Sequence, residues 1–582
     1  MAILGSYRRT VDLAKASFLL EVRCEEIPAR MLQPAIRELA TRLFEELMAR
    51  NLAPEEVLTG FTPRRLVVTL RDVPVKEADS RIEQLGPPTS VSFGDDGEPS
   101  AAAIGFAKRC GLEVEELSRV RTEKGEYVAA TIEKLGRPTG EILAEISPRI
   151  LGALSWPKVM RWGVGQGPWV RPVHGVLALF GGELVPFEFM GVHTTDRSVG
   201  HPIHSPREFR VKGVADFRQK LTWRKIEPNF DLRRAAISTR MSRLAGESGG
   251  TLVNDDELLD KLASICEIPG VVVGDFSAKY LSLPREVLVT SLRDHQSALT
   301  VEDDGDLLLP VFLTVMDCHE DTAGLIRAGN EWVVEARLAD AQFFYSEDKK
   351  VPLADRVDLL AGLTFHAKLG TYADKMNRML QLVEVLCDEL GWLEEKAAAA
   401  EATRLLKVDL TTEIVKEFTS LQGIIGGVYA REQGHAEEVW QAIYDHYLPG
   451  SATDPVPRNR VGQLVTLADR IDLLVGIFGL GLVPTGSKDP FGLRRAAQGA
   501  VRVALEGDLA IDFDLISARA VLLYEDRLSR SGDEILAALR PFFQDRIRHL
   551  LGLEGYVYDE IDAGLGAGGS DLPDLRRRAG PR

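Results

Sequence analysis

The sequence predicts a multidomain protein with a mixed α/β N-terminal half and an all-α C-terminal half. Three observations carry that prediction. The chain has 582 residues, and at about 100–200 residues per domain this length corresponds to roughly three to five domains. Apolar runs of strand length, Phe18 to Val22, Val176 to Phe180, Val271 to Phe276 and Pro310 to Met316, all lie before Asn330. Beyond Asn330 such runs nearly vanish, and helical patterns fill 330–345, 355–390, 396–430, 436–447 and 459–478 with few breakers.

Residues 1–16 carry Arg8, Arg9 and Lys15 but lack the apolar stretch of a secretory signal, and Asp12 interrupts the basic character of a transit peptide. They are predicted as a disordered extension. Residues 17–150 read as α/β modules. Phe18 to Val22 predicts a strand; after Pro34, residues Ile36, Leu39, Leu43, Phe44, Leu47 and Met48 recur at helical spacing; Arg65 to Leu70 predicts a returning strand. Gly86-Pro87-Pro88 and Gly94 to Pro99 are turn-rich and mark a boundary or exposed loop. Residues 151–329 read as an α+β domain, with helices predicted over 230–245 and 285–293. Residues 330–480 and 481–582 form two helical regions, with Pro449 to Pro457 as the clearest internal loop and Gly564 to Ser570 as a fraying tail.

Lys and Arg total 70 against 87 Asp and Glu, a net charge of −17, which excludes indiscriminate binding to nucleic acid but leaves room for a local basic patch. Hydrophobic residues at 45% and charged residues at 27% are ordinary for globular domains. No apolar stretch approaches the ~20 residues of a membrane span, so no membrane partner is expected. The five cysteines are scattered at wide intervals, unlike a disulfide framework or a zinc ribbon, and point to a reducing cytoplasm.

Several glycine and histidine patterns fail as nucleotide sites. Gly163 to Gly167 with Arg171 approximates the ATP-holding strand of class II synthetases, but Pro172 and a further strand follow where a helix should start. In Gly481 to Lys488 the final residues stand in the wrong order for a phosphate loop, and Gly564 to Gly569 has no preceding strand. His201-Pro202-Ile203-His204 cannot open a helix, because Pro202 and Pro206 forbid it. In the helical half, His366, Asp409 and Asp469 or Asp472 fall on successive helices, as ligands do in HD-type phosphohydrolases. That chemistry needs a histidine before the middle aspartate to complete a metal cluster that activates water, and Val408 stands there. The reading is an HD-like scaffold without the chemistry; a metal-dependent HD-type phosphohydrolase is the alternative. No nucleophilic triad is evident.

Positive charge is more informative. In PTGSKDPFGLRRAAQGAVR, residues 484–502, Asp489 is a suitable N-cap and Pro490 a suitable first helical residue. Arg495 and Arg502 then share a face, Arg494 lies close by and Lys488 precedes the cap, a cluster able to hold phosphates. Arg64 and Arg65, at the mouth of a predicted strand, form a second candidate pair for RNA contact.

Taken in order, FLLEVRCEEIP at 18–28, TPRRL at 62–66, FGDDGEPSAAAIGFAKRCG at 93–111, PKVMRWG and VRPVHGVLALFGGE within 157–183, VDLTTEIVKEFTSLQGIIGGVYAR at 408–431 and ADRIDLLVGIFGLGLVPTGSKDPFGLRRAA at 468–497 resemble the beta subunit of the bacterial-type heterotetrameric glycyl-tRNA synthetase. The resemblance covers nearly the whole chain from about residue 17. It implies a subunit of glycine–tRNA ligase in an α2β2 assembly, which positions tRNA(Gly) while a separate alpha subunit binds ATP and Mg and performs glycylation. This chain would then carry no cofactor and no catalytic residue. The resemblance also implies that 330–480 is an HD-like domain and that 481–582 is an incomplete anticodon-binding-type domain.

Two departures stand out. Arg23 and Cys24 replace the Gly-Thr common in the family, and the chain stops soon after Asp562, before later helices of the anticodon-binding domain, with an unrelated ending at 576–582. A shortened bundle is expected to leave apolar faces of 533–551 uncovered. A truncated remnant that binds its partner without supporting charging is therefore a further alternative.

Overall fold

The computed structural model describes the chain except residues 1–2, 9–13, 95–96, 123–124, 487, 567–571 and 580–582. It divides into two compact units: Met1–Gly274, Ser297–Leu307 and Val311–Gly329 form the first, and Asp275–Gln296, Leu308–Pro310 and Asn330–Arg582 form the second.

In the first unit, part of the predicted extension is ordered: β1 (Ile3–Arg8) pairs antiparallel with Ser80–Arg81 and the residues after it, while residues 1–2 and 9–13 of that extension lie outside the described set. The central sheet is built on β2 (Lys15–Cys24). Between β2 and its return lie α1 (Ala29–Met48) and β3 (Glu56–Thr62), then β4 (Arg65–Pro74). The run Phe18 to Val22 is apolar on both sides because both faces of the sheet are covered. Phe18, Leu20 and Val22 pack toward Leu32, Ile36, Leu39 and Leu43 of α1. Leu19 packs on the opposite face with Phe209, Phe217 and Leu221.

A second sheet has the order β1, β5 (Ser80–Pro88), β7 (Gly125–Lys134), β6 (Ser118–Thr122), with α2 (Thr89–Ser92) and α3 (Ala101–Cys110) against it. Helix α4 (Thr139–Gly152) returns to the core of α1. The glycine-rich stretch 163–167 is the turn of a hairpin between β8 (Met160–Trp162) and β9 (Gln166–Trp169), and its Gly163 and Gly165 have φ of 54° and 112°. It leads to β10 (Val173–Phe180), which pairs antiparallel with β2 and parallel with Val192–Thr195. Helices α5 (Val214–Trp223), α6 (Phe230–Glu247) and α7 (Asp256–Ser264) follow, and a further sheet runs in the order Thr251–Leu252, Leu299–Glu302, Leu308–Met316, Gly270–Asp275.

The second unit holds α8 (Arg285–Thr290), extended by a π turn at Ser291–His295, and α9 (Leu325–Asp348) from Asn330 onward. The continuous helix expected over 355–390 is instead a 3-10 segment (Leu353–Gly362), a small hairpin (Thr364–His366 with Gly370–Thr371) and α10 (Tyr372–Leu390). Gly370, with φ of 98°, turns the chain, and the reciprocal cap between Thr371 and Asp374 starts the new helix. Likewise 396–430 breaks into α11 (Lys396–Leu405), α12 (Glu413–Glu417) and α13 (Ile424–Glu432), punctuated by the Thr412 cap and by Gly423 with φ of 84°. After α14 (Glu437–Asp445), α15 (Arg460–Gly479) buries nearly all of its 20 residues and is the shaft of the unit. Helices α16 (Leu493–Glu506), α17 (Phe513–Leu523) and α18 (Gly532–Leu553) pack around it. The uncovered faces expected at 533–551 are not found. Ile535, Leu539, Phe543, Ile547 and Leu551 of α18 are buried, because α15, α16 and α17 already supply the opposing surfaces.

Candidate nucleic-acid interface

Helix α15 carries Asp469, Arg470 and Asp472 into the interior of the second unit. Asp469 divides its carboxylate between two ammonium groups, Lys375 Nζ at 3.0 Å and Lys407 Nζ at 3.0 Å. Asp472 accepts from Lys375 at 2.9 Å and from Arg378 Nε at 2.6 Å. Burial alone would raise the Asp469 pKa, but Lys375 and Lys407 outweigh it and hold the carboxyl well below the usual range. Lys407 also donates to His446 Nε2 at 2.9 Å, while His446 Nδ1 donates to the Ile443 carbonyl at 2.6 Å. Burial, with Lys407 beside it, pushes His446 well below its ordinary value, so the ring is neutral. Asp409 makes no ion pair with these cations among the described residues, although the Lys407 charge acts against the effect of its burial. Its Oδ2 accepts from the Gly423 amide, its Oδ1 has no hydrogen-bond partner among the described residues, and burial raises its pKa to about 6.

This geometry corrects the metal-hydrolase alternative. His366 sits on the small hairpin, where its Nδ1 accepts from the Lys368 amide at 3.2 Å and its ring meets Phe491. Among the described residues no group of three or more His, Cys, Asp or Glu side chains is placed to hold a metal. The positive charge that a metal would bring to Asp469 is supplied by two lysines.

Arg64 and Arg65 are drawn into the first unit rather than offered to solvent as a pair. Arg65 is only 3% exposed. Its Nε donates to Glu267 at 2.7 Å, its Nη1 to Glu21 at 2.8 Å and its Nη2 to the Gly200 carbonyl at 2.9 Å. Glu21 is the charged residue within the β2 apolar run, and this pair is what makes its burial tolerable. Arg64 donates to Glu26 at 2.7 Å and to Asp317 at 3.2 Å. Asp317 also accepts from His201 Nε2 at 2.9 Å and from the amides of Glu267 and Ile268. Burial opposes ionisation of Asp317, yet these donors lower its pKa to about 2. The histidine motif thus has a structural use: His201 Nδ1 accepts the amides of Ile203 and His204 while Nε2 holds Asp317. Arg23, the first residue of the Arg23-Cys24 departure, lies over Gly175 of β10, where a Cβ would clash with its Nη2, and reaches Glu21 at 3.7 Å. Cys24, its second residue, is buried, and burial pushes its thiol pKa up.

The segment 484–502 differs from the expected helix start. α16 begins at Leu493, and its N-cap is Gly492 with φ of 64° rather than Asp489; from upstream, the two oxygens of Asp489 accept from the amides of Leu493 and Arg494, each at 2.9 Å. Arg494 turns back to the Gly486 carbonyl at 2.7 Å. Arg502 donates Nε to Glu506 at 2.7 Å and clamps the loop through the carbonyls of Ser451, Ala452 and Asp454. Lys488 and Arg495 are exposed, and their side chains have no ion pair or hydrogen bond among the described residues. Of the six predicted cations, Arg495 and Arg502 meet at one place, a groove of about 200 Å³ lined by Pro449–Ala452, Arg495, Gln498, Gly499 and Arg502. Sequence reasoning missed Gln498 and the buried Arg470 behind Gly499. The signal was present as a glycine inside an amphipathic helix, which often marks a close approach.

A family model described as "Glycyl-tRNA synthetase beta subunit" matches residues 18–566. The glycine–tRNA ligase beta subunit of Geobacter sulfurreducens is 40% identical over 561 residues, covering 96% of this chain and 81% of that relative. That of Acidobacterium capsulatum is 41% identical over 575 residues, covering 97% and 81%. That of Syntrophus aciditrophicus is 36% identical over 566 residues, covering 96% and 81%. Fold and similarity together define a subunit of an aminoacyl-tRNA ligase. Within that class, the chain belongs to the glycyl-tRNA synthetase beta-subunit family.

Proposed function

We propose that the chain is the tRNA-handling subunit of a cytoplasmic α2β2 glycine–tRNA ligase. It holds tRNA(Gly) so that the acceptor end reaches an alpha subunit, which binds ATP and Mg and performs glycylation. The contribution is positional: fixing the RNA converts an encounter into an oriented approach, with cations along the backbone supplying affinity. The family match over 18–566 carries this reading. The internal commitment of Lys375, Lys407, Asp469 and Asp472 to one another supports it, since their charges are satisfied without a substrate. Lys488, Arg494 and Arg495 remain the candidate RNA contacts, whereas Arg64, Arg65 and Arg502 act first as internal clamps. In the same reading, 17–150 and 151–329 are the α/β modules, 330–480 is an HD-like domain that keeps its carboxylates but neutralises them with lysine, and 481–582 is anticodon-binding-type.

Glycine attachment to tRNA(Gly) is the test, measured with this chain alone, the alpha subunit alone and an equimolar mixture. Charging in the mixture, with neither chain active alone, is the expected outcome. Charging by this chain alone would overturn the positional role. An alpha subunit equally active without this chain would overturn the requirement for it. Co-purification with an inactive mixture would favour a subunit that binds its partner without supporting charging.

A further inference from the structure

We propose that the groove between α16 and the loop Pro449–Ala452 is a phosphate site, in which Arg495 and Gln498 hold one backbone phosphate of a bound RNA. The inference rests on the tRNA-handling reading and deepens it by naming the point of contact.

The charges around Gly499 do not balance. Arg470 lies behind this glycine, so close that a Cβ there would come within 1.9 Å of its Nη1. Its guanidinium is buried and has no carboxylate partner. It donates to the carbonyls of Arg495, Ala496, Tyr447 and Pro449, and its Nε has no hydrogen-bond partner among the described residues. The neighbouring Asp469 is already shared between Lys375 and Lys407. Burial lowers the Arg470 pKa to about 10, with Arg495 and Arg502 working in the same direction against Asp469. Arg502 has one carboxylate, Glu506, and otherwise donates to loop carbonyls. Arg495 has none among the described residues. The Asp454 carboxylate feels the Arg502 charge, but its oxygens are occupied by the amides of Gly450 and Ser451 and by the Ser451 hydroxyl. Two guanidinium groups, those of Arg495 and Arg502, therefore line one groove with Arg470 buried behind its Gly499 wall; Arg502 is paired with Glu506, and Arg495 is the lining cation for which an anion is the missing component.

The form of the groove selects the anion. Arg495 and Gln498 are three residues apart on α16 and so stand on one wall, with the fork of a guanidinium and an amide N–H both free to donate. The opposite wall, Pro449–Ala452, is short and already fastened by Arg502. An open groove of about 200 Å³ with forked donors on one side suits a tetrahedral phosphate on a strand passing through.

Binding of a tRNA(Gly) transcript to the full chain, measured across salt concentrations, tests the site. Arg495→Ala should weaken binding about tenfold and reduce the slope of log affinity against log salt by about one unit. Gln498→Ala should weaken binding with the slope kept, and Arg495→Lys should restore the slope. Wild-type affinity and slope in Arg495→Ala would overturn the groove while leaving the tRNA reading intact. If the wild-type chain binds no tRNA, that reading fails, and inorganic phosphate decides the groove separately. A thermal midpoint raised by phosphate over chloride at equal ionic strength, in wild type but not in Arg495→Ala, would uphold the site. Equal rises in both, or none in either, would overturn it.

Discussion

Asp409 has one oxygen on the Gly423 amide and no hydrogen-bond partner for the other among the described residues, and burial raises its pKa to about 6 from an ordinary 3.8. The folded chain thus holds this proton more tightly than the unfolded chain does. The stabilisation is fully present below about pH 4 and is lost as pH rises through 6. In Asp409→Asn nothing titrates there. Wild type should therefore lose stability relative to the variant between pH 4 and 7, by roughly 2–3 kcal/mol. Urea unfolding of both chains across that range measures it, and a difference independent of pH would refute the assignment. Gly499 gives a second expectation at this scale. Gly to Ala in a helix ordinarily stabilises by about 1 kcal/mol, but here the new Cβ meets Arg470, whose bonds to four carbonyls prevent it from yielding. Gly499→Ala should destabilise by about 1–3 kcal/mol, read from the urea midpoint.

At the scale of elements, α16 starts where Asp489 receives two amides. Asp489→Ala should cost about 1 kcal/mol and release the Arg494 amide, visible as faster hydrogen exchange at residues 493–494. The sequence predicts Asp489 as the N-cap and Pro490 as the first helical residue, but the N-cap is Gly492 and Asp489 reaches the first two helical amides from upstream; a polar acceptor can be read from residue type, whereas the intervening left-handed Gly492 depends on the path of the whole turn. Strand β2 shows the same division. Its apolar run is legible as a buried strand, yet Glu21 within it reveals nothing of Arg65, 44 residues away. That is also why Arg64 and Arg65 looked available for RNA. Charge is visible in a sequence, but which carboxylates the fold brings against it is not. Long helical patterns were legible for α10 and α15, and failed at 364–371, where a three-residue strand is too short to leave a periodic signal.

At the scale of the molecule, the division into an α/β half and a helical half follows from where strand-length apolar runs stop. The pairing of Lys375 and Lys407 with Asp469, and of Lys375 and Arg378 with Asp472, was not legible, since lysines in a helical pattern are ordinarily solvated. That pairing predicts that treatment with a chelator leaves the thermal midpoint of the purified chain unchanged. A loss of several degrees on metal removal would reinstate a metal at Asp469.

The chain passes between its two units five times, at 274/275, 296/297, 307/308, 310/311 and 329/330. During synthesis, then, neither unit is finished when the other begins. Residues 275–296 leave the ribosome before 330–582, the bulk of their own unit, has been made. They carry Tyr280, Val287, Leu288 and Leu292, all buried in the finished protein. Dividing the gene at codon 330 would strand these side chains on the wrong fragment. The 330–582 product should be recovered poorly on its own and should improve when 275–296 is restored ahead of it.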